Sequence, residues 1–260
     1  MGNGSMANGA RETRVHGSLL AAAEKRLLIW LAHRLPRWVN SDHLTTLGAV
    51  ALFAAGICYA IGRSYPAALI GVVVLLAVNW FGDSLDGTLA RVRRQERPRY
   101  GFYVDHVLDA LGILFLMGGL VAGGYMSVIV GAGFLIAYYL LTIEIALATH
   151  TLGTFRLSYW KVGPTELRIL MAIGTLQLLR SDSVVIAGER LLLFDVGGAV
   201  AIVGLGVTFV TAALANGRAL YGMERLVERA ESKEAAETTH HRESRVRRGP
   251  GVTDLAAGEY

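Results

Sequence analysis

The sequence predicts an all-α, polytopic membrane protein with six transmembrane helices, preceded by an amphipathic helix in the membrane interface. Hydrophobic residues make up 53% of the 260 positions and charged residues only 18%, against about 25% charged in a soluble domain. The mean hydropathy is +0.44. Several apolar runs are long enough to cross about 30 Å of hydrocarbon as a helix, which takes roughly 17 to 25 residues. Composition and run length therefore exclude an ordinary soluble domain.

Six stretches qualify as spans. The fifth contains two charged residues, Glu166 and Arg168. Six crossings would put both termini on the same side of the membrane. The predicted spans are Leu44 to Gly62, Pro66 to Gly82, Val107 to Met126, Val128 to Thr149, Pro164 to Leu179 and Leu191 to Leu214.

The distribution of positive charge predicts the orientation. With six spans, 21 Lys and Arg residues lie on the side of the termini, three lie on the other side, and Arg168 is inside a span. Positively charged loops stay in the cytoplasm, so both termini are expected there. Anionic lipid head groups are the natural partner of such a basic face, and nucleic acid is not expected.

The predicted membrane domain covers residues 39–221. Residues 17–38 alternate apolar side chains such as Trp30 with basic ones such as Arg34, as in a helix that lies in the interface. A cytoplasmic helix packed on the loops is the alternative. Residues 1–16 and most of 222–260 are polar, without periodic apolar positions, and are expected to be disordered. The one cysteine, Cys58, excludes an intrachain disulfide.

Four aspartates flank the loop between the second and third predicted spans. Asp83 and Asp86 end the second span, and Asp105 and Asp109 begin the third. Residues three or four apart lie on one helix face, so each helix presents a pair of carboxylates in one direction. A short loop makes the two helices antiparallel neighbours, and all four acids should meet at the cytoplasmic edge.

Four neighbouring carboxylates repel one another unless cations are bound. Hard ions such as Mg²⁺ or Mn²⁺ match these oxygen ligands and leave positions for substrate phosphates. Salt bridges to Arg91, Arg93 and their neighbours are the alternative, but they would account for one or two of the acids. We therefore expect a metal site, with room for two ions.

Residues with little bulk accompany the acids. Gly87, Ala90 and Gly101 leave space for a ligand or a facing helix. Arg91 extends the acidic face of the second span and can meet a phosphate. Acids that bind metal beside an arginine that binds phosphate indicate a pyrophosphate substrate.

The segment "DSLDGTLARVRRQERPRYGFYVDHVLD" resembles the signature of the CDP-alcohol phosphotransferase family. Its fixed positions are Asp83, Asp86, Gly87, Ala90, Arg91, Gly101, Asp105 and Asp109. Nine residues separate Arg91 from Gly101 here, where the family pattern has eight, and the extra residue falls in the loop. The hydropathy profile extends the resemblance from about Ser18 to Tyr221.

The resemblance implies a transferase that breaks the pyrophosphate of a CDP-linked substrate, releases CMP and joins the remaining phosphate to an alcohol. Asp83, Asp86 and Asp105 would be metal ligands, and Asp109 would contact metal and act as general base. Asp83 and the residues with little bulk would line the nucleotide site with Arg91. A homodimer is also expected from the resemblance.

Other polar residues are candidates for binding the acceptor or lipid. They are Arg94, Arg99, His106, Glu166 and Arg168. An internal salt bridge is the alternative for Glu166 and Arg168, and a hydrogen bond within its own helix is the alternative for His106. Ser41 or Asp42 is expected to cap the first span, and Thr45 is a candidate for contacting substrate.

The donor and acceptor stay open at this point. Alanine- and arginine-rich composition favours a bacterial inner membrane protein that uses CDP-diacylglycerol, whereas the Asp105 and His106 pair resembles the branch in which a CDP-aminoalcohol meets diacylglycerol. Two other classes are a divalent-cation transporter and an inactive scaffold. A transporter needs a polar path to the far side, but the acids cluster at one face. Retention of all four aspartates and Arg91 disfavours a scaffold.

Overall fold

A computed structural model describes residues 19–152 and 164–247. The chain divides into two units, Met1–Ala212 and Ala213–Tyr260, and helices dominate the described residues. The elements are α1 (Leu19–Arg34), α2 (Ser41–Ile61), α3 (Ala67–Val92), α4 (Pro98–Ala122), α5 (Val128–Leu152), α6 (Pro164–Leu178), β1 (Ser183–Ile186), β2 (Glu189–Leu192) and α7 (Leu193–Arg247).

Five helices within the described ranges are long and apolar enough to cross a membrane. They are α2, α3, α4, α5 and the Leu193–Leu226 part of α7, which correspond to five of the six predicted spans. The remaining prediction, Pro164 to Leu179, coincides with α6. With 15 residues α6 is about 22 Å long, less than the hydrocarbon thickness of about 30 Å. Residues 153–163 before it lie outside the description, so the sixth crossing stays a prediction.

A β-hairpin precedes α7, and the all-α prediction is wrong at this point. Ser183 pairs with Leu192 and Ile186 with Glu189 in an antiparallel register. Ala187 and Gly188 between the strands have φ of 53° and 90°, as a two-residue type I′ turn requires. Consecutive β-branched residues in "SVVI" favour the strand, so Leu191 and Leu192 belong to β2 instead of the predicted span.

The last helix extends past the predicted start of the tail at residue 222. It is continuous to Arg247, in a segment rich in Ala, Glu and Arg, which have high helix propensity. The prediction for residues 1–16 falls outside the described residues, as do positions 248–260 of the tail.

Helix α1 packs against the start of α2 and against the end of α3 that carries Asp83 and Asp86. Leu28 and Ala32 are buried in an apolar cluster with Leu44, Leu85 and Leu89. Glu24 of α1 accepts hydrogen bonds from Trp80 Nε1 (2.9 Å) and Thr165 Oγ1 (3.1 Å). The helix is therefore fixed to α3 and α6. Its predicted location in the membrane interface stays a prediction.

Glycines bring α2 into close contact with both neighbours. A Cβ at Gly82 of α3 would lie 2.6 Å from the Leu44 carbonyl oxygen, and one at Gly119 of α4 would lie 2.0 Å from the Gly56 carbonyl oxygen. Neither position can hold a larger side chain without moving the helices. Small residues at such contacts let helix backbones approach within the membrane, so α2 lies between α3 and α4 at short range.

The other end of these helices is joined by Arg63. Its guanidinium donates to the Gly123 and Gly124 carbonyls, both at 2.8 Å, and pairs with Asp182 at 3.1 Å. Asp195 accepts a hydrogen bond from the Ser127 backbone N–H at 2.7 Å. These contacts link the loops at the end opposite the acids.

Candidate active site

All four motif aspartates line one small, open cleft between α2, α3 and α4. The wall also contains two polar side chains, Thr45 and Asn79, and the small residues Gly48 and Ala49. The close approach at Gly48 matters here, because a Cβ on it would lie 3.4 Å from the Asp83 backbone nitrogen. Helix spacing thus brings together acids that the sequence places up to 26 positions apart.

Asp86 is buried and held by three contacts. Its Oδ2 accepts a hydrogen bond from Thr45 Oγ1 at 2.7 Å, its Oδ1 accepts one from the Gly87 backbone N–H, and its carbonyl accepts one from Ser41 Oγ at 2.9 Å. The start of α2 therefore fixes the end of α3. The predicted cap was wrong: Asn40 caps α2 by accepting from the His43 N–H at 3.0 Å, since the Ser41 hydroxyl is used on Asp86.

Asp83 is paired across the helix bundle. Its Oδ2 lies 2.5 Å from Arg168 Nη2 of α6. Arg168 Nε donates to Asn79 Oδ1 at 2.7 Å, and Asn79 Nδ2 donates to the Gly48 carbonyl at 3.0 Å. A chain of contacts therefore joins α6, α3 and α2 beneath the cleft.

Asp105 and Asp109 contribute the α4 wall of the cleft. Electrostatic interactions couple Asp86 to Asp83 and Asp105, and couple Asp109 to Asp83 and Asp86. In the described residues the side chains do not converge into a group of three or more acidic, His or Cys ligands around one point. The donor set itself fits Mg²⁺ or Mn²⁺, because it consists of carboxylate oxygens that face a common space.

Two of the nucleotide-site candidates are in contact. Arg91 is exposed, its Nη2 donates to Thr88 Oγ1 at 3.3 Å, and a Cβ on Gly87 would lie 3.5 Å from its Nη1. Ala90, the residue before Arg91, is half-buried. A Cβ on Gly101 of α4 would meet nothing within 4 Å. None of these four lines the acidic cleft itself; they lie around its α3 and α4 ends.

The candidates Arg94, Arg99 and His106 lie in different local structures. Arg94 follows α3 with a φ of 55°, and the Gln95 N–H to Ala90 carbonyl bond of 2.9 Å closes the helix end around it. Arg99 is exposed in the first turn of α4. His106 Nδ1 lies 2.9 Å from the Phe102 carbonyl, within its own helix, as the alternative interpretation of this residue expected.

Arg168 reaches the cleft acids, whereas the side chain of Glu166 lies outside the described part of the chain. Arg168 forms a salt bridge with Asp83. Asn79 was not recognised from the sequence. The signal was present: it is an amide within an apolar run, four residues before Asp83 and hence on the same face of α3.

Two arginines of the basic loop fix the backbone around the site. Arg93 donates to the carbonyls of Leu35 (3.1 Å), Pro36 (3.0 Å) and Val39 between α1 and α2. Arg97 forms a salt bridge with Asp42 in the first turn of α2. These contacts hold the α3 to α4 connection against the entry to α2.

Fold and site together define a helical membrane protein with a four-carboxylate cleft at one end of its bundle. The sequence model of the CDP-alcohol phosphatidyltransferase family matches residues 38–212. The chain belongs to this family, and the resemblance drawn from the motif is confirmed. The match includes all four acids and α6.

A curated relative is the archaetidylinositol phosphate synthase of Methanothermobacter thermautotrophicus, 29% identical over 149 residues. The alignment covers 57% of this chain and 65% of the relative. The chain thus spans slightly less than two thirds of the length of the relative it matches.

Proposed function

We propose that the protein transfers a substituted phosphate from a CDP-linked donor to an alcohol and releases CMP, with CDP-diacylglycerol as the preferred donor. The observation that carries this proposal is the meeting of Asp83, Asp86, Asp105 and Asp109 in one cleft. A cleft at the end of a helical membrane bundle can admit a lipid from one side and a water-soluble reactant from the other. The CDP-aminoalcohol to diacylglycerol reaction is the alternative for the same acids.

Asp83, Asp86, Asp105 and Asp109 would hold Mg²⁺ or Mn²⁺, with two ions in the full site. The bound ions would offset the charge of the pyrophosphate and of departing CMP. Thr45 supports this role by holding Asp86, since ligating carboxylates depend on partners that orient them.

Asp109 is the proposed general base. It would take the proton from the acceptor hydroxyl as the hydroxyl oxygen forms a bond to the phosphorus that carries the lipid. The bond between this phosphorus and the bridging oxygen breaks, and CMP leaves with the electron pair. Asp109 suits this role because it lines the cleft, where an acceptor can come within hydrogen-bond reach.

Gly87, Ala90, Arg91 and Gly101 are proposed to line the nucleotide site with Asp83. The exposed guanidinium of Arg91 above Gly87 supports this assignment, because a planar guanidinium matches phosphate oxygens. The space around Gly101 would admit a ligand.

A phosphorylated polyol is the acceptor that we propose to test first, since the relative from Methanothermobacter thermautotrophicus is named as a synthase of archaetidylinositol phosphate. Arg94, Arg99, His106, Glu166 and Arg168 are the candidates for contacting acceptor or lipid. We also propose that the chain crosses a bacterial inner membrane six times, with α6 as the fifth crossing and α1 in the membrane interface. The cleft would then face the cytoplasm, and the basic face would contact anionic lipid. The protein is proposed to be a homodimer.

The test is CMP release by purified protein with Mg²⁺ or Mn²⁺. CDP-diacylglycerol and CDP-aminoalcohols are crossed with inositol phosphate, glycerol phosphate, inositol, serine and diacylglycerol. Release is expected with one donor and acceptor, and it should be abolished in D109N. The matched control is D182N, which changes an aspartate outside the cleft and should retain CMP release.

Failure of the folded protein to bind either CDP or a divalent cation would overturn the proposed enzyme. Cation flux into liposomes without CMP release would instead identify a transporter. Equal CMP release by D109N and wild type would be consistent with the proposed reaction but would show that Asp109 is not its general base.

A further inference from the structure

Arg168 of α6 contacts two different groups of the α3 wall. Its Nη2 lies 2.5 Å from Asp83 Oδ2 and its Nε lies 2.7 Å from Asn79 Oδ1. The planar guanidinium presents these donors in a fixed fork, so the two contacts orient each other. Arg168 also interacts electrostatically with Asp109. It is thus a cation held among the acids by a helix that contributes none of the aspartates.

The surroundings of Arg168 fix the position of its guanidinium. The Arg168 side chain is 17% exposed, and Asn79 is buried with its amide nitrogen on the Gly48 carbonyl. The amide oxygen therefore faces Arg168 in a set orientation, which places the guanidinium on Asp83. Breaking such a partly buried pair by removing one charge leaves the other uncompensated.

A divalent cation among these four acids would supply the same charge compensation. If Asp83 is a cation ligand, its Oδ2 has two competing positive partners. Positive charge in the cleft would also repel the guanidinium. The cation and the Arg168 guanidinium should therefore each weaken the binding of the other to Asp83. This coupling is reciprocal by thermodynamic necessity.

We propose that Arg168 is the built-in counter-ion of the cation-free cleft, and that a divalent cation displaces its guanidinium from Asp83. This inference rests on the cation binding in the proposed function. Arg168 acts here as a positioning residue: it keeps the acids together before the cation enters, and cation entry releases it toward the cleft. The displaced guanidinium is then available to an anionic reactant only when the site is loaded.

The test measures Mn²⁺ binding by electron paramagnetic resonance and thermal unfolding with and without Mn²⁺, in wild type and R168Q. R168Q should bind Mn²⁺ about fivefold more tightly or better, the lower range of typical coupling. Without Mn²⁺ it should unfold at a lower temperature than wild type, and Mn²⁺ should narrow this difference. R63Q is the matched control, because Arg63 also pairs with an aspartate but lies away from the acids.

A purely structural Arg168 would give a different pattern. R168Q would then lose the same stability with and without Mn²⁺, as R63Q should, and its Mn²⁺ affinity would be equal to or below that of wild type. That result would overturn the displacement of Arg168 but would not contradict the proposed enzymatic function. Absence of Mn²⁺ binding by wild type would overturn both this inference and the cation binding in the proposed function.

A measurement on wild type covers the case in which R168Q does not fold. In arginine-labelled protein, the Nε resonance that disappears in R168K identifies Arg168. Adding Mg²⁺ should shift this resonance and speed the exchange of the Arg168 Nε proton with water. An unchanged Arg168 resonance in protein that binds Mg²⁺ would overturn the displacement.

Discussion

Thr45 and Asp86, which are 41 positions apart, are joined by a 2.7 Å hydrogen bond from the Thr45 hydroxyl to Asp86 Oδ2. The second oxygen of the same carboxylate accepts from the Gly87 backbone N–H. Both oxygens are thus oriented, one by α2 and one by α3, while the side chain is buried. The start of α2 is therefore a supporting part of the acidic cleft.

Replacing Thr45 with valine should lower divalent-cation affinity and CMP release by roughly 10- to 100-fold, as is usual when a partner of a ligating carboxylate is removed. Valine keeps the shape and branching but cannot donate to Asp86. Mn²⁺ titration and initial rates of CMP release measure the effect. T45S retains the hydroxyl and should stay close to wild type. A loss in T45S as large as that in T45V would contradict this role of the hydrogen bond, because serine keeps the hydroxyl.

Alanine at Gly119 should destabilise the fold. Its Cβ would lie 2.0 Å from the Gly56 carbonyl oxygen, so α2 and α4 would have to separate. Overpacking of this kind costs about 1–3 kcal/mol, which thermal unfolding in detergent would detect. Gly118 is the matched control: it is the neighbouring glycine on the same helix, and a Cβ there would meet nothing within 4 Å. Equal midpoints for G118A and G119A would contradict the close approach of the helices.

Removal of the Arg93 side chain should loosen the connection between α1 and α2. The guanidinium donates to three carbonyls there, and hydrogen bonds from charged donors are worth about 1.5–3 kcal/mol each. Hydrogen exchange of residues 35–40 should increase in R93A. R94A removes the same charge from the adjacent exposed position and should leave exchange in residues 35–40 unchanged. Equal exchange in R93A and wild type would rule out this role.

The meeting of the four acids was predictable from the sequence because it depends on local rules. Spacings of three and four residues fix the face of a helix, and a short loop fixes the pairing of two adjacent helices. Asp83, Asp86, Asp105 and Asp109 could thus be assigned to one site without knowledge of other contacts. The apolar runs identified α2 to α5 for the same reason, since length and composition are local properties.

The partner of Arg168 was not predictable in this way. Asp83 and Arg168 are 85 positions apart and meet through the packing of α6 on α3, which no spacing in the sequence encodes. The arginines of the basic loop show the same limit, since Arg93 and Arg97 bind the α2 entry while Arg94 is exposed. The boundary between hairpin and span was missed because Leu191 and Leu192 of β2 continue directly into the apolar start of α7, where composition does not mark the boundary.

The number of crossings can be tested by single cysteines introduced in a C58A background, since Cys58 is the one native cysteine. Gln95 follows α3 and Gly188 lies in the hairpin after α6. If α6 crosses as the fifth of six spans, these two positions lie on opposite sides of the membrane. Gly188→Cys should then react with an impermeant maleimide added to intact cells, and Gln95→Cys only after permeabilisation. Protection of both positions in intact cells would mean that α6 does not cross, and labelling of Gln95→Cys alone would reverse the orientation expected from the positive charges.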